Sequence, residues 1–155
     1  MSEVRSIGRE AMAELAAQAE AAARKRSHLL LHGGHADPVQ RLLIMMQPGT
    51  YVRPHQHSEQ WEMLILQQGH LDVLVFTEQG RLQKRVELSP AAPIIEIPLG
   101  TWHGAIVLEP RTAVMEIKPG PYRANEFAPW APEEGDPNAA RFVEWATSAE
   151  TGSDW

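Results

Sequence analysis

The feature that most constrains this chain is a series of short apolar runs between residues 39 and 118, each ended by turn residues. Proline or glycine breaks the series at short intervals, as at Pro48-Gly49, Gly80 and Gly100. Short strands at this spacing, with no helical pattern between them, are typical of an antiparallel sandwich or barrel. We therefore predict a mainly β fold. Its predicted strands are residues 39–46, 51–57, 61–67, 71–77, 81–88, 94–97, 102–108 and 113–118.

Both ends of the chain differ from this central region. Residues 8–27 are rich in Ala, Glu, Gln, Arg and Lys and predict an N-terminal surface helix, whose negative end the basic residues 24–26 would complement. Asp136-Pro137 resembles an N-cap followed by proline at the first helical position, which predicts a short C-terminal helix. We expect one domain in three parts. These parts are an N-terminal helix and leading segment (1–36), a β-barrel (37–120), and a proline- and tryptophan-rich segment with a short helix that packs on the barrel (121–155).

Composition limits the classes of function. The 155 residues include no cysteine, which excludes a disulfide framework, a thiolate metal site and a cysteine nucleophile. The net charge is −6 and the sequence has no basic stripe, so we expect no nucleic-acid partner. The chain begins with no signal-like segment and has no apolar run long enough to span a bilayer. A cytoplasmic protein without a membrane partner is the expectation.

Four polar side chains are spaced so that they can meet in one pocket. His55 and His57 are two residues apart, so their imidazoles point to the same face of a strand. Glu62 lies five residues after His57 and reaches that pocket only if the chain turns at residues 58–60. The turn predicted at residues 98–100 delivers His103 to the start of another strand. We therefore predict that His55, His57, Glu62 and His103 form one site.

Three imidazoles and one carboxylate are a ligand set for a divalent metal ion. Zn, Fe, Mn, Ni and Co all accept these donors, so the sequence does not distinguish among them. The alternative, that each histidine is an ordinary polar residue, is harder to reconcile with the ordered set of four. A second site at His28, His32 and His35 would require a continuous helix, which Gly33-Gly34 interrupts. We therefore predict one metal ion, held by the first set.

Four further charged residues lie on predicted strands beside apolar neighbours. Arg53 shares parity with His55 and is the best candidate for a contact to substrate. Arg41, Glu116 and Lys118 are further candidates, although each of the four is about as compatible with a solvated outer face. A metal ion beside an arginine favours a small anionic ligand that carries oxygen atoms. The sequence assigns no catalytic residue.

The spacing of the metal-site residues resembles the cupin motifs. The run G-x5-H-x-H-x4-E-x6-G at residues 49–69 is similar to the first cupin motif, and P-x-G-x2-H at residues 98–103 to the core of the second. The usual leading glycine and terminal asparagine of the second motif fall on Ala92 and Val107. The resemblance implies a single cupin barrel (a double-stranded β-helix, or jelly roll). Neither departure affects a metal ligand, so they bear on the lining of the pocket.

Longer segments are similar to the WbuC-type cupin-fold metalloproteins, which occur in bacterial surface-polysaccharide gene clusters such as those for O-antigen. The resemblance covers roughly residues 24–146 and implies a metal-bound cupin without supplying a reaction. The segments are DPVQR at 37–41, YVRPH at 51–55, GTWH at 100–103, EIKPGPY at 116–122 and FAPWAPEEGD at 127–136.

Several functions remain open from the sequence. A metal-dependent enzyme, such as a sugar isomerase or epimerase, a dioxygenase of a small organic acid, or a lyase, would act on a small anionic carbohydrate-type metabolite or a related acid. A non-enzymatic module that only binds such a ligand is the competing class. We also predict a homodimer, because the run 61–66 is apolar on both faces and needs a cover on its outer side.

Overall fold

A computed structural model describes residues 3–155, so the first two residues of the predicted leading segment lie outside the description. Over these residues the chain forms two helices and ten strands. The helices are α1 (Arg9–Ala21) and α2 (Asn138–Ser148). The strands are β1 (Arg26–Leu30), β2 (Val39–Met46), β3 (Val52–Gln56), β4 (Glu62–Gln68), β5 (Leu71–Phe76), β6 (Leu82–Leu88), β7 (Ile94–Ile97), β8 (Trp102–Val107), β9 (Thr112–Pro119) and β10 (Glu126–Phe127).

The strands form two antiparallel sheets of five strands each. The first has the order β1-β2-β9-β4-β7 and the second β10-β3-β8-β5-β6, so neighbours in each sheet are often distant in sequence. Side chains such as Leu64, Val73 and Val114 fill the space between the sheets. The predicted mainly β jelly roll with a helix at each end is confirmed, and strands β2 to β9 correspond to the eight predicted runs.

Helix α1 is shorter than the helix that the sequence predicts for residues 8–27. It ends at Ala21, and the chain then enters β1, which pairs with β2 from Arg26↔Met46 to Leu30↔Leu42. The Ser27 hydroxyl donates a hydrogen bond of 2.7 Å to the Leu15 carbonyl, which ties this strand to the helix above it. Pairing with the sheet therefore outweighs local helix propensity over residues 26–30, where the sequence predicted helix as far as residue 27.

Each helix covers the outer face of one sheet. On α1, Leu15, Ala16 and Ala19 are buried against Leu43 and Met45 of β2. On α2, Phe142 is buried beside Phe76 and Tyr51, and Trp145 is partly buried in the same cluster. The α2 side chains thus pack on the barrel as the sequence predicted, although the helix begins at Asn138. No helix within residues 3–155 has both the length and the apolar character needed to cross a bilayer.

Candidate metal centre

The structure brings together the four side chains that the sequence placed in one site. His55, His57, Glu62 and His103 are all buried, and one potential ligand atom from each lies within 4.8 Å of the others. His55 and His103 are opposite residues on the paired strands β3 and β8. Glu62 is the first residue of β4 in the other sheet. The chain between β3 and β4 therefore crosses from one sheet to the other and closes the pocket.

Backbone carbonyls fix the tautomer of two of the imidazoles. The Nδ1 atom of His55 lies 2.8 Å from the Arg53 carbonyl, and that of His103 lies 2.9 Å from the Thr101 carbonyl. A carbonyl oxygen only accepts hydrogen bonds, so each Nδ1 donates and a neutral ring keeps its lone pair on Nε2. This is the arrangement that metal-binding histidines show, with the second nitrogen bonded to a fixed acceptor.

The contacts of Glu62 show that these residues fit a metal ion. Its Oε2 atom lies 2.8 Å from His57 Nε2 and 3.3 Å from His103 Nε2. Both Oε2 and a neutral His103 Nε2 carry lone pairs, so a proton or a metal ion has to lie between them. In addition, His57 Nδ1 and His103 Nε2 are buried without a hydrogen-bond partner. Such unsatisfied buried atoms are costly, and a bound cation would satisfy His103 and the carboxylate together.

Burial and mutual charge set the protonation of the cluster. Burial, with a smaller effect of the charge on His103, lowers the pKa of His55 to about 3. Burial alone would raise the pKa of Glu62, but the neighbouring His103 and His57 hold it well below its ordinary value. His55 is thus neutral and Glu62 ionised near neutral pH, which are the forms that coordinate a metal ion.

A cavity of about 210 Å³ adjoins the four residues inside the barrel. Glu116 and Lys118 line it from β9, and the Lys118 Nζ atom lies 2.8 Å from Glu116 Oε1. Burial, together with the charge of Glu62, raises the pKa of Glu116 to about 7. The structure thus places this pair in the cavity and away from the solvated outer face, with a carboxyl group that can hold or release a proton there.

Arg53 also lines the cavity, but Arg41 does not. The Arg53 guanidinium lies 4.9 Å from the centre of the Phe127 ring, and its Nε atom is buried without a hydrogen-bond partner. The Arg41 side chain is exposed and donates a bond of 3.3 Å to the Leu31 carbonyl. The expectation of a pocket role for Arg41 is therefore corrected, because its strand position faces outward beside Ile117.

Sequence reasoning missed a basic rim at the mouth of the cavity. Arg26 lines it and donates bonds of 2.9 Å to the Tyr51 carbonyl and to Glu134, which also pairs with Arg24. The sequence assigned residues 24–26 to the end of a helix, and this is wrong because α1 ends at Ala21. An alternation of Arg26, His28 and Leu30 was the available signal for a strand, since residues two apart share one face.

The other histidines form no second metal site within residues 3–155. The Nδ1 atom of His32 lies 2.9 Å from the Arg41 amide nitrogen, and the His35 ring stacks on Tyr122 at 4.5 Å between centroids. The interruption at Gly33-Gly34 thus has the predicted effect, because no helix presents these side chains together.

The first comparison with known proteins concerns the family of the chain. Residues 7–88, more than half of the chain, match the family model described as "Domain of unknown function (DUF6016)". The chain belongs to the DUF6016 family. The match includes β2 to β6 and three of the four residues of the candidate metal centre, whereas His103 lies beyond it. No curated protein matches this DUF6016 chain.

Solved structures resemble the DUF6016 chain in fold. KdgF from Halomonas sp. is 24% identical with a TM-score of 0.51, over 63% of this chain and 80% of that one. The DMSP lyase DddQ from Ruegeria pomeroyi DSS-3 is 17% identical with a TM-score of 0.55, over 70% and 54%. The conserved protein SPY1581 of unknown function from Streptococcus pyogenes is 12% identical with a TM-score of 0.52, over 66% and 80%. At these identities the likeness concerns the fold, which is the cupin jelly roll.

Proposed function

We propose that the chain binds one divalent metal ion through His55, His57, Glu62 and His103 and uses it to hold a small anionic metabolite that carries oxygen atoms. One observation carries the proposal: Glu62 Oε2 and His103 Nε2 lie 3.3 Å apart in a buried cluster where His103 Nδ1 already donates to a carbonyl. A metal ion held by these residues would resolve the close contact between the two lone pairs. When bound, a metal ion at this position supplies a Lewis acid for an oxygen-bearing ligand.

Two side chains of the cavity support an anionic ligand. Arg53 offers a buried Nε–H group that has no partner in the protein. Lys118 presents an ammonium group beside Glu116 and is itself largely buried. A carboxylate or phosphate near the metal would bond to these donors, and such charge-assisted bonds are among the stronger polar contacts in proteins. Carbohydrate-type metabolites belong to this ligand class. A role in surface-polysaccharide biosynthesis, which the WbuC-type resemblance implies, is also part of the proposal.

The pair Glu116–Lys118 favours an enzyme over a module that only binds. Both groups carry exchangeable protons, and both line the cavity that adjoins the candidate ligands. General acid–base catalysis needs such a group within hydrogen-bond reach of the bound substrate. An isomerase or epimerase, a lyase and a dioxygenase are all compatible with this arrangement. Tight metal-dependent binding without turnover would instead support the non-enzymatic module.

Elemental analysis tests the metal site. Protein purified without an affinity metal should contain about one divalent metal ion per chain, and the variant His57→Ala should lose most of it because one of four ligands is gone. The matched control is His35→Ala, since His35 is exposed and lies outside the cluster. Full metal occupancy in the double variant His55→Ala/His57→Ala would refute the ligand assignment, and metal loss in His35→Ala would show that the effect is not specific.

A further inference from the structure

The cavity has polar groups at both ends. His55, Glu62 and His103, with Glu116 and Lys118, form one end, and the cationic rim and His28 lie at the mouth. The wall between them is mainly aliphatic. Its aliphatic residues include Ile44, Met46, Leu64, Leu71, Val73 and Val114, all of them buried.

Strand register places this aliphatic wall directly behind the metal centre. Leu64 lies two residues along β4 from Glu62, and Val73 lies two residues along β5 from Val75, the partner of His103. Two residues of a strand span about 7 Å, with side chains on the same face. Farther along the same sheet as β4, Val114 of β9 pairs with Ile44 of β2 and continues the apolar surface. A ligand that extends from the metal centre into the barrel therefore meets hydrocarbon within one or two carbon atoms of its polar head.

The size of the cavity restricts the ligand further. A volume of about 210 Å³ lies below the roughly 300–1,000 Å³ of pockets that hold drug-sized molecules. A nucleotide sugar is too large for it. A sugar acid of suitable size would turn hydroxyl groups toward Leu64, Val73 and Val114, where they lose water and these side chains offer no hydrogen-bond partner. A ligand with a polar head and a short hydrocarbon tail matches the polar end at the candidate ligands and the aliphatic wall next to it.

We infer that the ligand class of this site is a small 2-hydroxy or 2-oxo acid with an aliphatic tail of two or three carbon atoms. Its carboxylate and neighbouring oxygen would lie at the metal and Lys118, and its tail would contact Leu64, Val73 and Val114. The inference rests on the proposed function, because the metal centre is what fixes the position of the head group. It narrows the ligand from anionic metabolites in general to amphipathic acids.

Calorimetry with a graded series of acids tests the inference. The probes are lactate, 2-hydroxybutyrate and 2-hydroxyvalerate, with glycerate as the polar counterpart of 2-hydroxybutyrate, since a hydroxyl replaces its terminal methyl group. Each is titrated into protein carrying its metal and into protein stripped of it. For the loaded protein, affinity should rise about fourfold with each added methylene group. Glycerate should bind about tenfold more weakly than 2-hydroxybutyrate, because its extra hydroxyl faces the aliphatic wall.

A pair of matched variants locates the tail. Val73→Thr keeps the side-chain shape but adds a hydroxyl to the wall, and should lower the affinity for 2-hydroxyvalerate about tenfold while leaving lactate unchanged. Val107→Thr is the control, because Val107 belongs to the same buried cluster but, contrary to the expectation from the second motif, does not line the cavity. It should leave both affinities as they are.

The outcomes separate this inference from the function on which it rests. Equal affinities along the series, or glycerate binding as tightly as 2-hydroxybutyrate, would overturn the inference while metal-dependent binding stood. No binding of any of the four acids to metal-loaded protein would also overturn it. Binding that is equally tight without metal would overturn the proposed function instead, whatever the effect of tail length. The ligand series uses the unaltered protein, so it decides the matter even if Val73→Thr fails to fold.

Discussion

Arg53 contributes to the site through both its backbone carbonyl and its side chain. Its backbone carbonyl accepts the Nδ1–H bond of His55, while its side chain lines the cavity and lies over Phe127. A side-chain substitution at this position removes the guanidinium but keeps the carbonyl. Metal binding and ligand binding are therefore separable at a single residue.

Arg53→Ala should retain the full metal content and weaken a carboxylate ligand by about 1.5–3 kcal/mol, as expected for one lost charge-assisted hydrogen bond. Elemental analysis measures the first quantity and calorimetry the second. Arg41→Ala is the control, since this arginine is exposed on the outer face. Loss of metal in Arg53→Ala, or an equal loss of ligand affinity in Arg41→Ala, would contradict the assignment.

Gly120 is a second residue where the structure allows almost no change. A Cβ atom at this position would lie 1.7 Å from the carbonyl oxygen of Asp37. The Gly120 amide donates a bond of 2.8 Å to the Pro38 carbonyl, which holds the end of β9 beside the start of β2. Lys118 therefore depends on this close approach for its position.

Gly120→Ala should lower the free energy of unfolding by about 3 kcal/mol, because both backbones have to move apart to admit the methyl group. Chemical denaturation of the variant measures this. Gly34→Ala is the matched control, since its Cβ atom would meet no atom within 4 Å. A Gly120→Ala variant as stable as Gly34→Ala would show that the two segments are not held as closely as described.

Much of the candidate site was predictable because strand alternation is a local property. The parity of His55 and His57 and the turn before Glu62 follow from residues near one another in sequence. The position of Arg41 was not predictable, since only the pairing Arg41↔Ile117 shows that it faces away from Glu116 and Lys118. Register between distant strands depends on the whole sheet, and no neighbouring residue reports it.

At the scale of elements, helix α2 is attached to the barrel through Arg85 of β6. Two of its nitrogens donate to carbonyls at the end of the helix, with Nη1 at 3.0 Å from Ala146 and 2.9 Å from Ala149, and Nη2 at 3.1 Å from Thr147. Its Nε atom donates to Asp72 at 2.6 Å. The planar guanidinium thus satisfies helix-terminal carbonyls that would otherwise lack partners.

Arg85→Lys should lower the free energy of unfolding by about 2 kcal/mol, because a single ammonium group cannot reproduce the fork of donors. Arg81→Lys is the control on the same strand region, since its ion pair with Asp154 is largely exposed and should contribute little. Chemical denaturation of the two variants measures this. Equal effects of the two substitutions would show that the contacts of Arg85 with the helix do not stabilise it.

Among the elements, strand β1 was not predicted, and its first residues were taken as the end of a helix, for a physical reason. Residues 26–30 carry only the weak alternation of Arg26, His28 and Leu30, and they form a strand because β2 offers an unpaired edge. Edge strands form wherever backbone donors and acceptors are available, so their existence depends on the rest of the sheet. β10 has only two residues and gives no detectable periodicity.

At the scale of the whole molecule, the outer face of the first sheet is only partly covered. Helix α1 packs on β1 and β2, whereas β4 and β7 lie beyond its reach. Ile94 is 59% exposed and Trp61 39% exposed, with half-buried Met63 and Ile65 between them. This is the apolar run that led the sequence to predict a homodimer, and it is still without a cover in the single chain.

The predicted homodimer should appear as a sedimentation mass of about twice 17.3 kDa at micromolar concentration. Ile94→Glu should shift the mass to that of a single chain, because burying an unpaired carboxylate in the interface is costly. Val4→Glu serves as the control, since Val4 is 99% exposed at a distance in sequence from this face. A mass near 17.3 kDa for the unaltered protein would rule the homodimer out.

The use of main-chain carbonyls to orient His55 and His103 has an evolutionary consequence. Every residue type carries the same carbonyl, so positions 53 and 101 can drift without disturbing the imidazoles that they hold. A lineage that exchanges Arg53 for another side chain would keep the imidazoles of the metal centre in place and change the lining of the cavity. Selection can therefore remodel what the barrel recognises in single steps, each of which passes through a viable ancestor.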